Sequence, residues 1–296
     1  MRTFILINGA GETCNITDKQ LFFHGPSGLG FKRTEKFRQV GDRFVLVNRK
    51  PSQGQIKGSV AFCSEDPYLA YYNFLQFLSR EPLRLAYVPD NTKDPSIASG
   101  TTYMRNVTIS SVEKTELEME GYLDCSITFN ALTPWYKYMA ISNGVIDDSD
   151  LLKWGVTWGH IEDDIYGIKW GPLDEFSRGI RSESITVSPA RLTIYGPLTN
   201  PVWTHYVNGY VYETGKLTTS IESNEYLVVD NVSDPYSIKK YRGTDAAELG
   251  DMYQYSDFTT SRFINIQNGA NTISVTDDED RKPIVKLEAY IYYESV

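Results

Sequence analysis

One stretch of the chain carries a clear helix pattern. Ser64 or Asp66 can cap the free amide N–H groups at its start, and Pro67 fits the first turn, where no amide hydrogen is needed. The apolar positions that follow recur at three-residue spacing, with two more aromatic residues widening the stripe: Leu69, Tyr72, Leu75 and Leu78, then Tyr71 and Phe74. Pro82 stops the pattern. The sequence therefore predicts an amphipathic helix over residues 66–80, with its apolar face packed on a sheet.

Most of the remaining chain alternates between apolar and polar residues, which predicts half-buried strands. In the first half such segments lie at residues 54–62, 83–88, 103–112 and 123–132. Residues 36–48 alternate as a hairpin that turns at Gly41 and Asp42. From Ser184 onward, short strands recur with turns about every eight to twelve residues, a rhythm typical of a two-sheet sandwich or jelly roll.

These patterns predict a mainly β protein with two domains. The first, residues 1–140, is a β-sandwich or barrel-like α+β domain with one helix. Asn143-Gly144 and the acidic residues 147–150 indicate a linker over residues 141–150. The second domain, residues 151–296, is predicted to be a jelly-roll β-sandwich.

Composition narrows the functional classes. The chain has 296 residues, a net charge of −9 and 21 tyrosines, a composition typical of β proteins with interaction surfaces. No basic run stands out beyond residues 80–84 and 239–242, so binding to duplex DNA through its phosphates is not expected, whereas an acidic or neutral lining would suit a pore through which DNA slides. Three widely spaced cysteines without a CxxC pair exclude zinc and redox motifs and favour a reducing compartment. No apolar run is long enough for a membrane span, and the first residues predict a strand and not a signal peptide, so synthesis in a cytoplasm is expected.

Catalytic and metal-binding motifs are absent from the sequence. The three histidines form no metal-binding pair, and no serine or cysteine lies in a nucleophile motif. The acidic clusters at residues 147–150 and 162–164 could supply the carboxylate pair of a glycosidase, but such runs are typical of solvated turns. We therefore predict no catalytic residue, no metal site and no cofactor.

Tryptophans are the strongest candidates for contact with a ligand. Trp154, Trp158 and Trp170 are each followed closely by glycine, a spacing that suits aromatic rings packed on a partner or stacked on a sugar. Trp203 in the second half is a fourth candidate. The sequence leaves packing and binding open for all four.

Several motifs, in a fixed order, carry a resemblance to a known family. They are Gly25-Pro26-Ser27-Gly28-Leu29-Gly30, the helix after residues 59–62, the segment from Lys114-Thr115-Glu116 to Ile127-Thr128-Phe129, Pro134-Trp135-Tyr136, and Tyr195-Gly196-Pro197-Leu198-Thr199-Asn200-Pro201. In this order they resemble the distal tail protein family of long-tailed, siphovirus-type bacteriophages, the hub of the baseplate or tail tip. The resemblance spans most of the chain, but residues 154–172 have no counterpart in it.

The resemblance implies a structural role in the virion. Members form a hexameric ring that continues the channel of the tail tube, and their C-terminal domain is a galectin-like sandwich. The implied partners are further copies of the chain, the tail tube protein, a tail-tip or tail-associated protein, a receptor-binding protein or host saccharide, and DNA in transit, with no membrane insertion. Tyr71, Tyr72 and Phe74 are then predicted subunit contacts. The alternative is a lectin-like module for cell-wall polysaccharide, and a wall-degrading glycosidase would need a carboxylate pair that the sequence does not place.

Overall fold

The structure, a computed structural model, divides the chain into two compact units. The residues that it describes are 2–89, 102–116, 121–142, 157–159, 167–169, 179–279, 281 and 283–296. Unit 1 comprises Met1–Lys137 together with Tyr292–Val296, and unit 2 comprises Tyr138–Ile291. The last five residues, which the sequence prediction assigned to the second domain, thus belong to unit 1.

Strands dominate both units, and the mainly β prediction is confirmed. Up to residue 142 the strands are β1 (Thr3–Ile7), β2 (Thr13–Asn15), β3 (Leu21–Ser27), β4 (Arg33–Val40), β5 (Arg43–Pro51), β6 (Gln55–Phe62), β7 (Leu83–Val88), β8 (Tyr103–Glu113), β9 (Leu123–Ala131) and β10 (Trp135–Ser142). The later strands are β11 (Thr157–Gly159), β12 (Gly167–Lys169), β13 (Ile180–Ser182), β14 (Ser188–Tyr195), β15 (Leu198–Thr199), β16 (Val202–Val207), β17 (Tyr210–Lys216), β18 (Ser220–Ile221), β19 (Glu225–Asp230), β20 (Ser237–Arg242), β21 (Ala247–Asp251), β22 (Asn265–Ile266), β23 (Gly269–Thr276) and β24 (Val285–Tyr293). Within the described part of the chain, the only α-helix is α1 (Pro67–Leu78), and a short 3-10 turn spans Tyr253–Tyr255.

The predicted start of the helix is confirmed. Of the two candidate caps, Asp66 is the N-cap, and its carboxylate accepts a hydrogen bond from the Leu69 amide at 3.0 Å. Pro67 occupies the first turn. The helix ends at Leu78, two residues before the predicted end, where the Ser79 amide donates to the Leu75 carbonyl at 3.0 Å.

The predicted apolar stripe of the helix is only partly correct. Phe74 and Leu78 are buried, but Leu69 and Tyr72 are exposed. The reason is geometric: three residues turn a helix by about 300°, so a strict three-residue repeat drifts by about 60° at each step and leaves the buried face.

Loss of the cap should weaken unit 1 modestly. Replacing Asp66 by Ala removes the acceptor for the Leu69 amide, so we expect unit 1 to lose about 1 kcal/mol of its free energy of unfolding. Chemical denaturation measures the loss of unfolding free energy, and hydrogen exchange of the amides in the first helical turn measures the local loss of protection. The matched control is Glu65→Ala, which removes a neighbouring exposed carboxylate that caps nothing; an equal loss in both variants would contradict the capping role.

The core of unit 1 is built by strands whose alternate residues point inward. Strand β9 pairs with β6 and β8, β7 pairs with β1 and β8, and β3 pairs with β6, all antiparallel. Along β9 the alternate residues are buried, as the sequence pattern predicts: Leu123, Cys125, Ile127, Phe129 and Ala131. Helix α1 covers this core through Phe74, whose ring centroid lies 5.7 Å from that of Phe62.

Unit 2 contains two larger antiparallel arrays of strands. One has the order β24-β14-β19-β20-β21, and the other has the order β13-β23-β16-β17. Their buried side chains include Leu192, Ile194, Trp203, Leu227, Val229 and Leu287. The short, regularly spaced strands predicted for the second half are therefore present.

The buried carboxylate of Glu225 on β19 contacts two basic side chains of β20 and a backbone amide. Burial alone would raise the pKa of Glu225, but hydrogen bonds from Arg242 (2.6 Å), the Glu222 amide (3.1 Å) and Lys240 (3.2 Å) outweigh burial and lower this pKa to about 2. Because the folded-state pKa lies below the ordinary value of 4.5, the stability that Glu225 contributes is present above pH 4.5 and is lost as the pH falls toward 2.

The variant Glu225→Gln should therefore unfold more easily at neutral pH and show a shallower loss of stability on acidification. Thermal unfolding of unit 2 between pH 2 and pH 7 measures both effects. Glu222→Gln is the control, because it alters an exposed carboxylate and leaves the Glu222 amide in place. An acid profile for Glu225→Gln identical to that of the unaltered protein would contradict this assignment.

Candidate assembly surface

A hairpin of unit 1 lies outside the core. Strands β4 and β5 pair only with each other among the described strands, from Arg33 opposite Pro51 to Val40 opposite Arg43. Gly41 in the turn adopts a φ of 61°, a left-handed conformation that glycine allows at little cost. The hairpin predicted at residues 36–48 is confirmed and longer than expected; we call residues 33–51 the arm.

The arm exposes apolar side chains on both faces. All residues from 34 to 50 are exposed, and the side chain of Phe44 is accessible over 71% of its surface. The other exposed apolar residues of the arm are Phe37, Val40, Val45, Leu46 and Val47. A two-stranded hairpin without a core is marginally stable in water, and a contiguous exposed apolar surface is typical of an interface. The arm is therefore the strongest candidate for contact with another chain.

The arm also differs in charge from the rest of the protein. It contains six basic and two acidic residues, a net charge of +4, in a chain whose total is −9. The remainder of the chain accordingly carries −13. A positive, apolar arm is complementary to an acidic partner, and the rest of this chain carries a net negative charge.

One ion pair joins the base of the arm to the rest of unit 1, and a second links its two strands. Arg33 at the start of β4 donates from Nη2 to Oε2 of Glu294, in the last segment of the chain. Within the arm, Nε of Arg49 lies 2.8 Å from Oε1 of Glu35 across the two strands. These contacts orient a hairpin that its own apolar residues do not anchor.

The predicted subunit contacts on helix α1 occupy three different environments. Phe74 is in the core, so it does not present a surface to a partner in this structure. Tyr71 is half-buried, with its ring centroid 5.6 Å from that of Phe62. Tyr72 is exposed, beside exposed Tyr68 and Leu69. Tyr72 therefore remains the predicted helix contact that a partner could reach directly.

The predicted sugar- or partner-contact tryptophans are not gathered into one site by the described residues. Trp203 is only 1% exposed, its Nε1 donates to the Arg262 carbonyl at 2.9 Å, and a Cβ on Gly215 would lie 2.2 Å from the indole. Its rings are covered, so a stacking role for Trp203 does not fit this structure. Trp158 lies in β11, whose side chains are not described, and Trp154 and Trp170 lie outside the described residues.

The described residues contain no group of three or more His, Cys, Asp or Glu side chains that could hold a metal ion. His24 lies 3.1 Å from Asp124 in unit 1, and His205 lies 3.0 Å from Asn271 within unit 2. Both histidines thus have local structural partners. The acidic clusters at residues 147–150 and 162–164 lie outside the described residues. Among the helices that the structure describes, none is long and apolar enough to cross a membrane.

Sequence analysis missed the exposure of the arm, although one signal was present. Phe44-Val45-Leu46-Val47 is an unbroken apolar run inside an otherwise alternating hairpin. A strand with one buried face alternates apolar and polar residues. Four consecutive apolar residues therefore indicate a strand that is covered by other protein on both faces. In this chain the cover is not supplied by the described residues.

Comparison with known proteins shows which proteins this chain resembles in sequence and in fold. Residues 3–132 match the family model of the distal tail protein N-terminal domain. The fold resembles a chain of the phage P2 baseplate in its activated conformation with Ca, with 17% identity, 100% of both chains covered and a TM-score of 0.61. It also resembles the SPP1 Dit protein, described as a paradigm of the hub adsorption apparatus in phages that infect Gram-positive bacteria, with 11% identity, 97% of this chain and 98% of the other covered, and a TM-score of 0.59. No curated protein sequence matches the chain significantly. Residues 3–132 are therefore a distal tail protein N-terminal domain, and the fold of the whole chain resembles those of the two phage proteins.

Proposed function

We propose that this distal tail protein forms a hexameric ring that joins the tail tube to the tail tip. DNA would pass through the central channel of the ring. Unit 2 would serve as a platform for a receptor-binding protein or for contact with the host wall. The protein would work through contacts alone, without catalysis.

The arm is the observation that carries this proposal. Its apolar residues are exposed on both faces, and burying them against a neighbour would supply the free energy of assembly, roughly 25 cal/mol for each Å² of apolar surface removed from water. An arm that inserts into a different surface of the next copy makes a head-to-tail interface. Such interfaces close into rings when the rotation between copies allows it.

Charge supports a second copy of the chain as the occupant of this interface. An arm of net charge +4 would contact a neighbour whose remaining residues carry −13. The same overall negative charge disfavours tight adhesion of DNA phosphates, which suits a channel through which DNA must slide.

The lectin-like alternative gains no support from the described residues. Its one candidate with a described side chain, Trp203, lies in the core of unit 2. The galectin-like character of the second half stays part of the proposal through the family resemblance.

Light scattering and negative-stain microscopy of the purified protein test the ring. A hexamer of 33.6 kDa chains has a mass of about 202 kDa and should appear as a six-fold ring with a central hole. We expect the ring fraction to fall as the salt concentration rises, because salt screens the charges of the arm. A monomer at high protein concentration and low salt would contradict the proposed self-assembly.

A further inference from the structure

Unit 2 carries a cluster of aromatic rings that belongs to neither the arm nor the predicted tryptophan set. Tyr236, Phe263, Tyr253 and Phe258 contact one another in sequence, with centroid separations of 5.3 Å, 6.5 Å and 5.6 Å. We call these four residues the aromatic cluster. Phe258 is exposed over 63% of its surface and Tyr236 over 62%, so the cluster presents apolar surface to solvent and not to the core.

The backbone under the cluster is fixed by hydrogen bonds. The Tyr253 amide donates to Oδ1 of Asp251 at 2.7 Å, and the Tyr253 carbonyl accepts from the Ser256 amide at 3.1 Å. The Asp257 amide donates to the Lys216 carbonyl at 3.0 Å, which ties this loop to the end of β17. The exposed rings of this loop are therefore carried by a backbone that is hydrogen-bonded to itself and to β17.

Arg262 lies between two rings of the cluster. Its guanidinium carbon is 5.0 Å from the centroid of Tyr253 and 4.9 Å from that of Phe258. Its Nε and Nη1 are buried but have no hydrogen-bond partner, and Arg262 forms no ion pair among the described residues. The two rings stabilise part of the positive charge of the guanidinium, but two of its donor nitrogens donate no hydrogen bond within the described part of the chain.

We propose that the aromatic cluster and Arg262 form a docking site for a protein segment that presents a carboxylate beside an aromatic or aliphatic side chain. The carboxylate would accept a charge-assisted hydrogen bond from Nε or Nη1 of Arg262, the two donor nitrogens that lack a partner among the described residues. The apolar side chain would cover the exposed rings of Phe258 and Tyr236. Displacement of the exposed Phe258 ring uncovers the guanidinium for this contact.

The composition of the site favours a protein over a saccharide. Tyrosine and arginine are enriched at the energetic centres of protein interfaces, where aromatic anchors exclude water from charged pairs. A saccharide needs several polar groups for its hydroxyls, whereas two of the four rings are phenylalanines and the guanidinium is largely covered by rings. The site therefore fits an acidic, apolar peptide segment better than a sugar.

This inference rests on the platform role proposed for unit 2 and gives that platform a surface and a partner chemistry. It does not depend on ring formation, because the site lies within unit 2. A protein that failed to form rings would leave the docking site to be judged on its own binding.

Peptide selection tests the site. The full-length protein is immobilised and panned with a displayed library of random 12-residue peptides. We expect enriched sequences to contain Asp or Glu next to an aromatic or aliphatic residue, and to bind Arg262→Gln and Phe258→Ser at least tenfold more weakly. The matched control is Tyr210→Ser, because Tyr210 is an exposed aromatic residue of unit 2 outside the cluster, and binding should be unchanged.

Several outcomes would overturn the proposal. They are the absence of enriched peptides, enrichment without an acidic residue, equal binding by the cluster variants, and binding of purified wall polysaccharide that the same variants lose. If Arg262→Gln does not fold, Phe258→Ser and Tyr236→Ser decide the question, because both positions are more than half exposed. Arg262→Lys keeps the charge but loses the guanidinium donors and their stacking on the rings, so its peptide affinity should lie between those of the unaltered protein and Arg262→Gln.

Discussion

If the proposed ring forms, a protein carrying Phe44→Asp and Leu46→Asp is expected to stay monomeric under the conditions in which the unaltered chain assembles. The two side chains lie two residues apart on β5 and so point to the same face of the arm. Each apolar side chain buried at an interface contributes about 1.5–3 kcal/mol, and a charged replacement must also be desolvated. The two carboxylates lower the charge of the arm from +4 to +2, which weakens its attraction to an acidic neighbour.

Light scattering at matched concentrations measures this effect as a shift from ring mass to monomer mass. The unfolding temperature of unit 1 should change little, because the arm contributes no residue to its buried core. Ile185→Asp, at an apolar residue of unit 2 that is 84% exposed, controls for the general effect of adding a carboxylate to the surface. Rings that persist in the double variant would exclude the arm as the interface, and Tyr72→Ser would then test the exposed face of α1.

The variant Trp203→Ala is expected to lower the free energy of unfolding of unit 2 by about 3–5 kcal/mol. The indole is fully enclosed, lies against the backbone of Gly215, and donates to the Arg262 carbonyl at 2.9 Å. Its removal leaves a large cavity and an unpaired buried carbonyl. Urea denaturation, monitored by a spectroscopic signal that reports the unfolding of unit 2, measures the loss of unfolding free energy.

Two companion variants separate the contributions to this effect. Trp203→Phe keeps most of the apolar volume but loses the N–H donor, so it should cost less than Trp203→Ala. Gly215→Ala keeps the indole but adds a Cβ 2.2 Å from it, so it should also destabilise unit 2. Full stability of Trp203→Ala would contradict the core position of this residue. Because the expected change is structural, any loss of sugar binding in Trp203→Ala would not show a sugar site.

Sequence reasoning worked best where local chemistry decides the structure. The cap at Asp66, the proline at position 67 and the alternation along β9 depend on neighbours in sequence, and each was found where predicted. The predicted stripe on α1 is only partly correct, because Leu69 and Tyr72 continue the apolar pattern but are exposed. Local hydrophobicity cannot distinguish a residue that meets its own core from one left exposed for a partner.

The arm and Trp203 both show that local sequence does not determine burial: the arm is exposed although it is apolar, and Trp203 is buried although it was a candidate for ligand contact. The alternating residues of the arm predicted a hairpin correctly, but the local sequence does not indicate whether a hairpin packs on a core. For Trp203 the aromatic side chain was compatible with packing and binding, and the pairing of β16 with β17, which places Gly215 opposite it, decided for packing. The environment of the Arg262 guanidinium gave no sequence signal, because it depends on two rings, Tyr253 and Phe258, that the fold brings to it.

The return of the last five residues to unit 1 makes unit 2 an insertion in the chain of its neighbour. Tyr293 packs edge-on against Tyr103 at 5.3 Å, and Glu294 pairs with Arg33 at the root of the arm. A fragment that stops at residue 137 would thus lack the residue that orients the arm, even though it keeps almost all of the unit 1 core. Conversely, both ends of residues 138–291 connect to unit 1, so an unrelated domain could replace this insertion while unit 1 keeps its last segment.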